Sequence, residues 1–580
     1  MAIKKRLIAL RIIFSILLII LLLVGGVIIW LSYNYKQVIL TRVPAMIAKS
    51  SDSVYHMSMQ DISINIFKSN ATITGLKIWP DKAQAKALRA RQKHIPTTLS
   101  TVNLPLAEIY GISWLDLITN RSFNCDQVVV HQLKWLMEAE PHPEDSSFPA
   151  RQKQKPMIGR ITATHANVLQ PDITYKYEGK KTHFSGMLKG GTGALEHFVY
   201  DNDQTKDTSN FLYAHSGVVR PDSFIFIKTG SRYTVRKPKV DFETAPRQIT
   251  LKAVKIDHLT DMNEESGKIQ EIYNLDFPLI DIDGLNWNKL INDGLLTATV
   301  INAARPVIDI HYISSSATPH SKMGDYPNQQ LHQVGLKTNI GMLSMKDGLF
   351  RYTEPNDKSG EEGIIELEQL SCHISNITNL DSVIGKNNNC SVKIKCKYNH
   401  KSDVSGTIDL TLGNAKGHFR LQGNLENLDA ADITKQTQAF SLVEVTSLHM
   451  SRIDVKEEGD ETYVAGGLTM LYQNLKISIL KFKSGTRKGS RGPLSFLANT
   501  LILYPDNPMN GKEVRSATTT FARDTTKGFI SMILENIIRG AKKTAMRSDA
   551  LINLTDGPET TKGEQPKKGF FKRLFGKKKH

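Results

Sequence analysis

The side chains that could do chemistry are present in this chain, but not at the spacings chemistry needs. Its 17 histidines are scattered. His142 and His373 have acidic or thiol neighbours in sequence, yet neither has a second ligand at metal spacing. The run KGGTG at Lys189–Gly193 is glycine-rich, but no Lys-Ser or Lys-Thr pair closes a phosphate loop, so it reads as a hairpin turn. The adjacent carboxylates Glu361 and Glu362 stand in a charged, loop-like run where solvation is the default. No HExxH, GxSxG, Walker A or dinucleotide fingerprint occurs. No catalytic, cofactor or metal residue follows from these patterns. Triads assemble from distant residues, so an envelope enzyme stays as the minor reading.

The four cysteines are Cys125, Cys372, Cys390 and Cys396. On an extended strand Cys390 and Cys396 stand about 20 Å apart, too far to bond to each other. Either could pair with Cys372 in an exported compartment. Isolated buried thiols fit the spacing equally well.

What the chain does repeat is a pattern of apolar residues. Thr101–Asn120 (TVNLPLAEIYGISWLDLITN) recurs at Asn274–Asp293 (NLDFPLIDIDGLNWNKLIND), placing Pro105 on Pro278, Gly111 on Gly284 and Trp114 on Trp287. The segment ahead of it repeats too, Ile62–Ile78 aligning without gaps on Val240–Ile256. Apolar residues stand at every second position: Ile62, Ile64 and Ile66 in one copy, Val240 and Phe242 in the other. They then step by three, from Ile73 to Leu76 and from Leu251 to Val254, before Ile78 and Ile256; Ile249 precedes the second step. Period two means a strand with one buried face, and the shared slip in phase predicts a β-bulge that bends it. At Gly111 and Gly284 the spacing turns helical, predicting one short turn, led by Trp114 and Trp287, that closes the end of a sheet.

Such strands could bury lipid. With alternate residues facing one way, a long antiparallel sheet curled along its length lines a trough for acyl chains. The twelve candidates for that lining are the residues just named, from Ile62 to Ile78 and from Val240 to Ile256.

Charge and hydropathy place the body outside the cytoplasm. The net charge is +17, but Lys562–His580 holds eight Lys/Arg against one Glu, and Lys4, Lys5, Arg6 and Arg11 precede the first apolar run. Taking away the seven and four net charges of these ends leaves about +6, too dilute for a nucleic-acid groove. Ile12–Leu31 is twenty residues without a charge, long enough to cross a bilayer. Cations on its N-terminal side and Trp30, Tyr33 and Tyr35 at its far interface predict a retained signal anchor with the body exported.

The expected organisation is a cytoplasmic stub and anchor over 1–36, a first β repeat unit over 37–239 and a second over 240–340. A C-terminal β region follows over 341–526, then an amphipathic helix over 527–547 and a disordered linker with a basic tail over 548–580. Within this plan 33–58 reads as a helical lead-in, and Lys82–Gln92 as a helix or solvated loop. Pro141–Pro156 and Pro319–Gln330 read as breaks between strands. The late helix could lie on a membrane or plug the end of a sheet, the commoner fate. In the tail, Phe570, Phe571, Leu574 and Phe575 share a face with Lys572 and Arg573 beside them, a membrane-surface pattern.

This order of parts resembles AsmA-like envelope proteins: one N-terminal anchor, strands such as DISINIFKSNATITGLKI, the Gly111–Trp114 unit, and a late GGLTMLYQNLKISIL. LANTLILYPDNP and ARDTTKGFISMILENIIRGAKK also look like that family's C-terminal part, with Gly467, Tyr472, Leu475, Asn499 and Gly540 as firm positions. The resemblance implies a single-pass inner-membrane protein whose periplasmic β-groove, related to bridge-like lipid-transfer proteins, handles phospholipid for outer-membrane assembly. Membrane phospholipids and an envelope protein partner are the implied partners, with no cofactor and no nucleic acid. A non-catalytic scaffold of outer-membrane assembly is the alternative.

Overall fold

The computed structural model describes residues 35–547 except 92–97, 140–158, 179–182, 202–212, 229–230, 237, 245–246, 259–270, 288, 291–293, 313–320, 335, 357–360, 442, 484–485 and 491–502. The expected anchor, Ile12–Leu31, and the tail with Phe570, Phe571, Lys572, Arg573, Leu574 and Phe575 lie outside these residues, as do Asn499 and the Pro141–Pro156 segment. Among the described residues no helix is long and apolar enough to cross a membrane, which says nothing of strands.

The chain is mainly β, as the period-two pattern requires. It divides into two compact units, Met1–Thr229 with Val235–Ile249 and Asn286–Gly294, and Gly230–Thr234 with Thr250–Leu285 and Leu295–His580. The second copy of the sequence repeat is therefore shared between the units, and the repeat boundary does not mark a boundary of packing.

In the first unit the strands Asp61–Asn65, Asn70–Pro80 and Thr98–Tyr110 pair in antiparallel succession. Thr98–Tyr110 then pairs with Ser122–His131 and Lys134–Ala139, which follow one another along a single line. The next line, Arg160–Leu169 with Asp172–Glu178, runs parallel to it. Antiparallel order returns with His183–Lys189 and Thr192–Asp201, then with Ala214–Arg220 and Ser223–Lys228, and Lys239–Glu243 pairs with Ala214–Arg220.

The sheet is thus mixed, and the expectation of an antiparallel sheet throughout is corrected. The second unit repeats the exception: Leu295–Ala304 and Val307–Tyr312 both pair parallel with Lys337–Asn356. A parallel neighbour needs a crossover too long for a hairpin. The two proline-broken segments supply it, since the parallel pairs join across residues 140–159 and 313–336.

Each line of the first sheet is interrupted once at the same level. Gly75 has φ +64° and lies opposite Pro105, Gln132 has φ +51° and Gln170 φ +50°, while Gly190 and Gly191 have φ +66° and +77°. The register continues unshifted across them, so they are left-handed kinks shared by neighbouring lines and the one-strand bulge expected from the sequence is corrected; together they bend the sheet along one seam. Gly190–Gly191 is consequently a break within a line of strands, and the hairpin expected there is corrected. The three-residue step read from the sequence coincides with left-handed residues in both copies, Gly75 in the first and Ala253, φ +54°, in the second. Gly111 and Gly284 match as well, at φ +69° and +74°.

Three helical expectations are refined. The lead-in is a helix over 35–50 followed by the strand Tyr55–Ser58. Lys82–Ala90 is a helix, its start fixed where the Asp81 carboxylate accepts from the Gln84 N–H at 2.9 Å. It buries Ala85 and Leu88 against Val54 and Leu99. The supposed break at Pro319–Gln330 contains most of a helix, Pro327–Gln333, with proline in its first turn.

Candidate functional site: an uncharged sheet face

In the first unit, cross-strand register aligns apolar residues into rows. One row runs Ile62, Ile73, Ala107, Val130, Val168, Gly193, Val219, Val240. Its neighbour runs Ile64, Ala71, Ile109, Val128, Ala166, Leu195, Gly217, Phe242. Beyond the seam a third runs Ile78, Val102, Trp135, Ile173, Leu188, Phe224. Register partners point to the same side of a sheet, and the left-handed residues at the seam shift the alternation by one in neighbouring lines alike, which leaves the register intact. All three rows therefore belong to one face. No charged residue stands in any of them.

Charge gathers on the opposite face. Glu108 and His131 lie 3.0 Å apart there, and His165 and Glu196 2.6 Å apart. The Lys77, Asn103, Lys134, Asp172, Lys189 row continues it beyond the seam.

Burial along the uncharged face is uneven. Ile64, Ile73, Leu76, Ile78, Val128, Val130, Val168, Leu195 and Val240 are only half-buried. Its margins are closed: Ile62 is 7% exposed and Phe242 3%, with the Phe242 ring edge-on to Trp287 at 6.0 Å. At one end Trp114, Ile112, Cys125 and Ala163 pack on Ala71, so the short helix Trp114–Thr119 closes the sheet there. Toward the other end the face is aromatic, with Phe184 against Tyr177 at 5.1 Å and Phe226 at 5.7 Å. The indole N–H of Trp135 is buried without a hydrogen-bond partner among the described residues.

The twelve lining candidates therefore separate. Ile62, Ile64, Ile73, Leu76, Ile78, Val240 and Phe242 share this one face. Ile66 leaves it, exposed in the turn after Asn65, because the strand ends there. Ile249 is buried, and Leu251, Val254 and Ile256 belong to the second unit, where Val254 is also buried. Ile62, Phe242, Ile249 and Val254 are buried core residues.

The second unit has similar rows, for example Ile282, Ile301, Leu343, Ile374, Val392, Ile408, Leu421, Glu457. Here a helix joins the core cluster of the row's later members, Ile374, Val392, Ile408 and Leu421. Phe529–Ala545 buries Met532 and Ile533, and its Gly540 sits so close to Leu468 that an added Cβ would lie 3.0 Å from that side chain. The helix plugs the sheet, as its amphipathic pattern allowed.

Where Phe529–Ala545 covers the sheet, two features had no clear sequence signal. Tyr326 is fully buried, its hydroxyl donating to Met532 Sδ at 2.8 Å and its ring lying 5.0 Å from Phe529 and 4.6 Å under the Arg523 guanidinium. Burial pushes its phenol far above the usual range. Glu457 is 4% exposed, and neither carboxylate oxygen reaches a hydrogen-bond partner among the described residues. Burial pushes its carboxyl up to about 7, only partly offset by nearby Asn536. Asn536 Oδ1 accepts from Thr519 at 2.7 Å.

All four cysteines are free, buried thiols, each pushed up to about 11, mainly by burial. Among the described residues no group of three His, Cys, Asp or Glu side chains is placed to hold a metal ion. No protein-family model and no curated protein matches the chain.

Proposed function

We propose that the protein is an inner-membrane-anchored envelope protein that holds or guides phospholipid on the uncharged face of its first unit. One observation carries this reading: the middle of that face is apolar across eight paired strands, yet apart from the buried Ala71 and Ala107 it remains partly exposed. Apolar side chains left this open in a folded sheet lose burial energy that a ligand or partner can restore. Seven strand spacings give a row of roughly 34 Å along the sheet. A single acyl chain fills about half of a hydrocarbon core that is ~30 Å thick, so the row offers room to slide. Each methylene laid on it gains about 0.8 kcal/mol, and with no charge along the row that gain changes little from strand to strand. The uncharged run Ile12–Leu31 and the sequence resemblance to AsmA-like proteins support the anchor and the envelope location.

The second unit favours a different role. The Phe529–Ala545 helix packs into the core clusters over part of its rows, which is how a scaffold uses an apolar face. Carriage is therefore assigned to the first unit. Native mass spectrometry of a detergent-free form spanning residues 37–560 tests it: co-purifying phospholipid is expected, and its absence counts against carriage and for the scaffold.

A further inference from the structure

Exposed apolar side chains collect at one end of the first unit. The turn joining Asp61–Asn65 to Asn70–Pro80 presents Ile66, 43% exposed, and Phe67, which is fully exposed. Tyr110 pairs with Asn70 beside that turn and is 38% exposed. Ile112 N–H donates to the Ser69 carbonyl at 2.8 Å, which brings the Trp114–Thr119 helix and its Leu115, 73% exposed, to the same end.

Three cations stand near these residues, with the exposed Asp126 beside Gly111. Lys68, Arg121 and Arg160 are exposed there. The nearest helix carboxylate is turned inward: Asp116 accepts from Ser113 at 2.7 Å, Asn124 at 2.9 Å and Asn120 at 3.0 Å. Apolar tips flanked by Lys and Arg suit an anionic bilayer surface.

The chain's own path identifies the occupant. Ile12–Leu31 ends four residues before Tyr35, so Leu31 lies within about 14 Å of it. The Tyr35 hydroxyl accepts from the Ile64 N–H at 3.1 Å, and Lys36 pairs with Asp61 at 2.9 Å. Tyr35, to which the apolar run leads, is thus held two residues from the exposed turn. We propose that Ile66, Phe67, Tyr110 and Leu115 form a tip that inserts into the surface of the bilayer that Ile12–Leu31 enters. The Trp114-closed end of the uncharged face then sits on that membrane.

Buried native thiols let a single exposed cysteine be labelled selectively. The full chain carrying Phe67→Cys takes an environment-sensitive fluorophore and is reconstituted in phosphatidylethanolamine–phosphatidylglycerol vesicles with a quencher-bearing lipid. A label at Lys86→Cys, on the exposed side of the helix at the opposite strand ends, is the control. Quenching several-fold stronger at 67 than at 86 is expected. Equal quenching at the two positions, or none at 67, overturns the proposal, including the case in which a protein partner covers the tip. In a Lys68→Cys background, Phe67→Glu with Leu115→Glu should bring quenching at 68 down to the control level; unchanged quenching overturns it as well. The tip does not depend on lipid carriage: a quenched tip on a protein that carries no phospholipid leaves docking standing and removes transport alone.

Discussion

Replacing Glu457 with Gln should make the second unit more stable at pH 8 and leave it nearly unchanged near pH 4.5. The carboxyl titrates from an ordinary value of 4.5 up to about 7 in the fold, because it is buried against the Phe529–Ala545 helix. Between those two values the folded state holds a proton that the unfolded chain has released, so wild-type stability falls as pH rises through the window and levels off above about 7. At about 1.4 kcal/mol per unit the loss is roughly 3 kcal/mol. Glutamine keeps the shape, has no charge to desolvate, and should recover most of that at pH 8. Urea denaturation followed by circular dichroism gives the measurement, taken as variant minus wild type so that other titrations cancel. The described tryptophans, Trp79, Trp114, Trp135 and Trp287, all belong to the first unit, so tryptophan emission is the internal control and should not move. A variant whose stability differs from wild type by the same amount at both pH values would refute the reasoning, since the effect would then be one of shape and not of ionisation.

Other outcomes follow from the same geometry. Ile64→Glu with Ile73→Glu removes two half-buried contacts worth roughly 1 kcal/mol each to a bound chain and puts charge on the uncharged face; phospholipid should be lost while circular dichroism is retained, and retained lipid counts against this face as the binding surface. Gly217→Ala would set a methyl into the Phe242 ring and 2.7 Å from the Ala194 carbonyl oxygen, costing about 1–3 kcal/mol in the first unit, read by tryptophan emission. With thiols near 11, only about a thousandth is thiolate at pH 8, so thiol reagents should modify the native protein very slowly and the urea-unfolded protein quickly; fast native labelling would contradict the burial.

How much of this was legible in the sequence depended on whether the signal was local. The step from Ile73 to Leu76 is local, and it located the left-handed residue at Gly75 and, through the repeat, at Ala253, though not a shift of register. The closing turn at Trp114 was legible for the same reason, since a glycine at positive φ followed by helical spacing has few other uses. Strand direction was not: whether Ser122–His131 meets its neighbour parallel or antiparallel depends on the route of residues 140–159, and no side-chain period encodes a route. Tyr326 sits in KMGDYPNQQ, polar enough to read as a loop, and its burial comes from Phe419, Phe529 and Met532 far along the chain. Glu457 stands in KEEGDE, where alternation already places every second residue inward, but a run of charges hides that parity. Of the lining candidates, those within the paired first-unit strands came together, while Ile66 failed because a strand end has no period of its own.

The most direct test of carriage maps contact residue by residue. The full chain is incubated with phospholipid bearing a diazirine at the middle of one acyl chain, irradiated, digested and sequenced by mass spectrometry. Adducts should fall on Ile73, Val128, Val130, Val168 and Leu195 and spare Glu108, His131 and Glu196 on the other side of the same strands. Adducts spread equally over both sides, or absent from all of these strands, would contradict the proposal that phospholipid lies on the uncharged face.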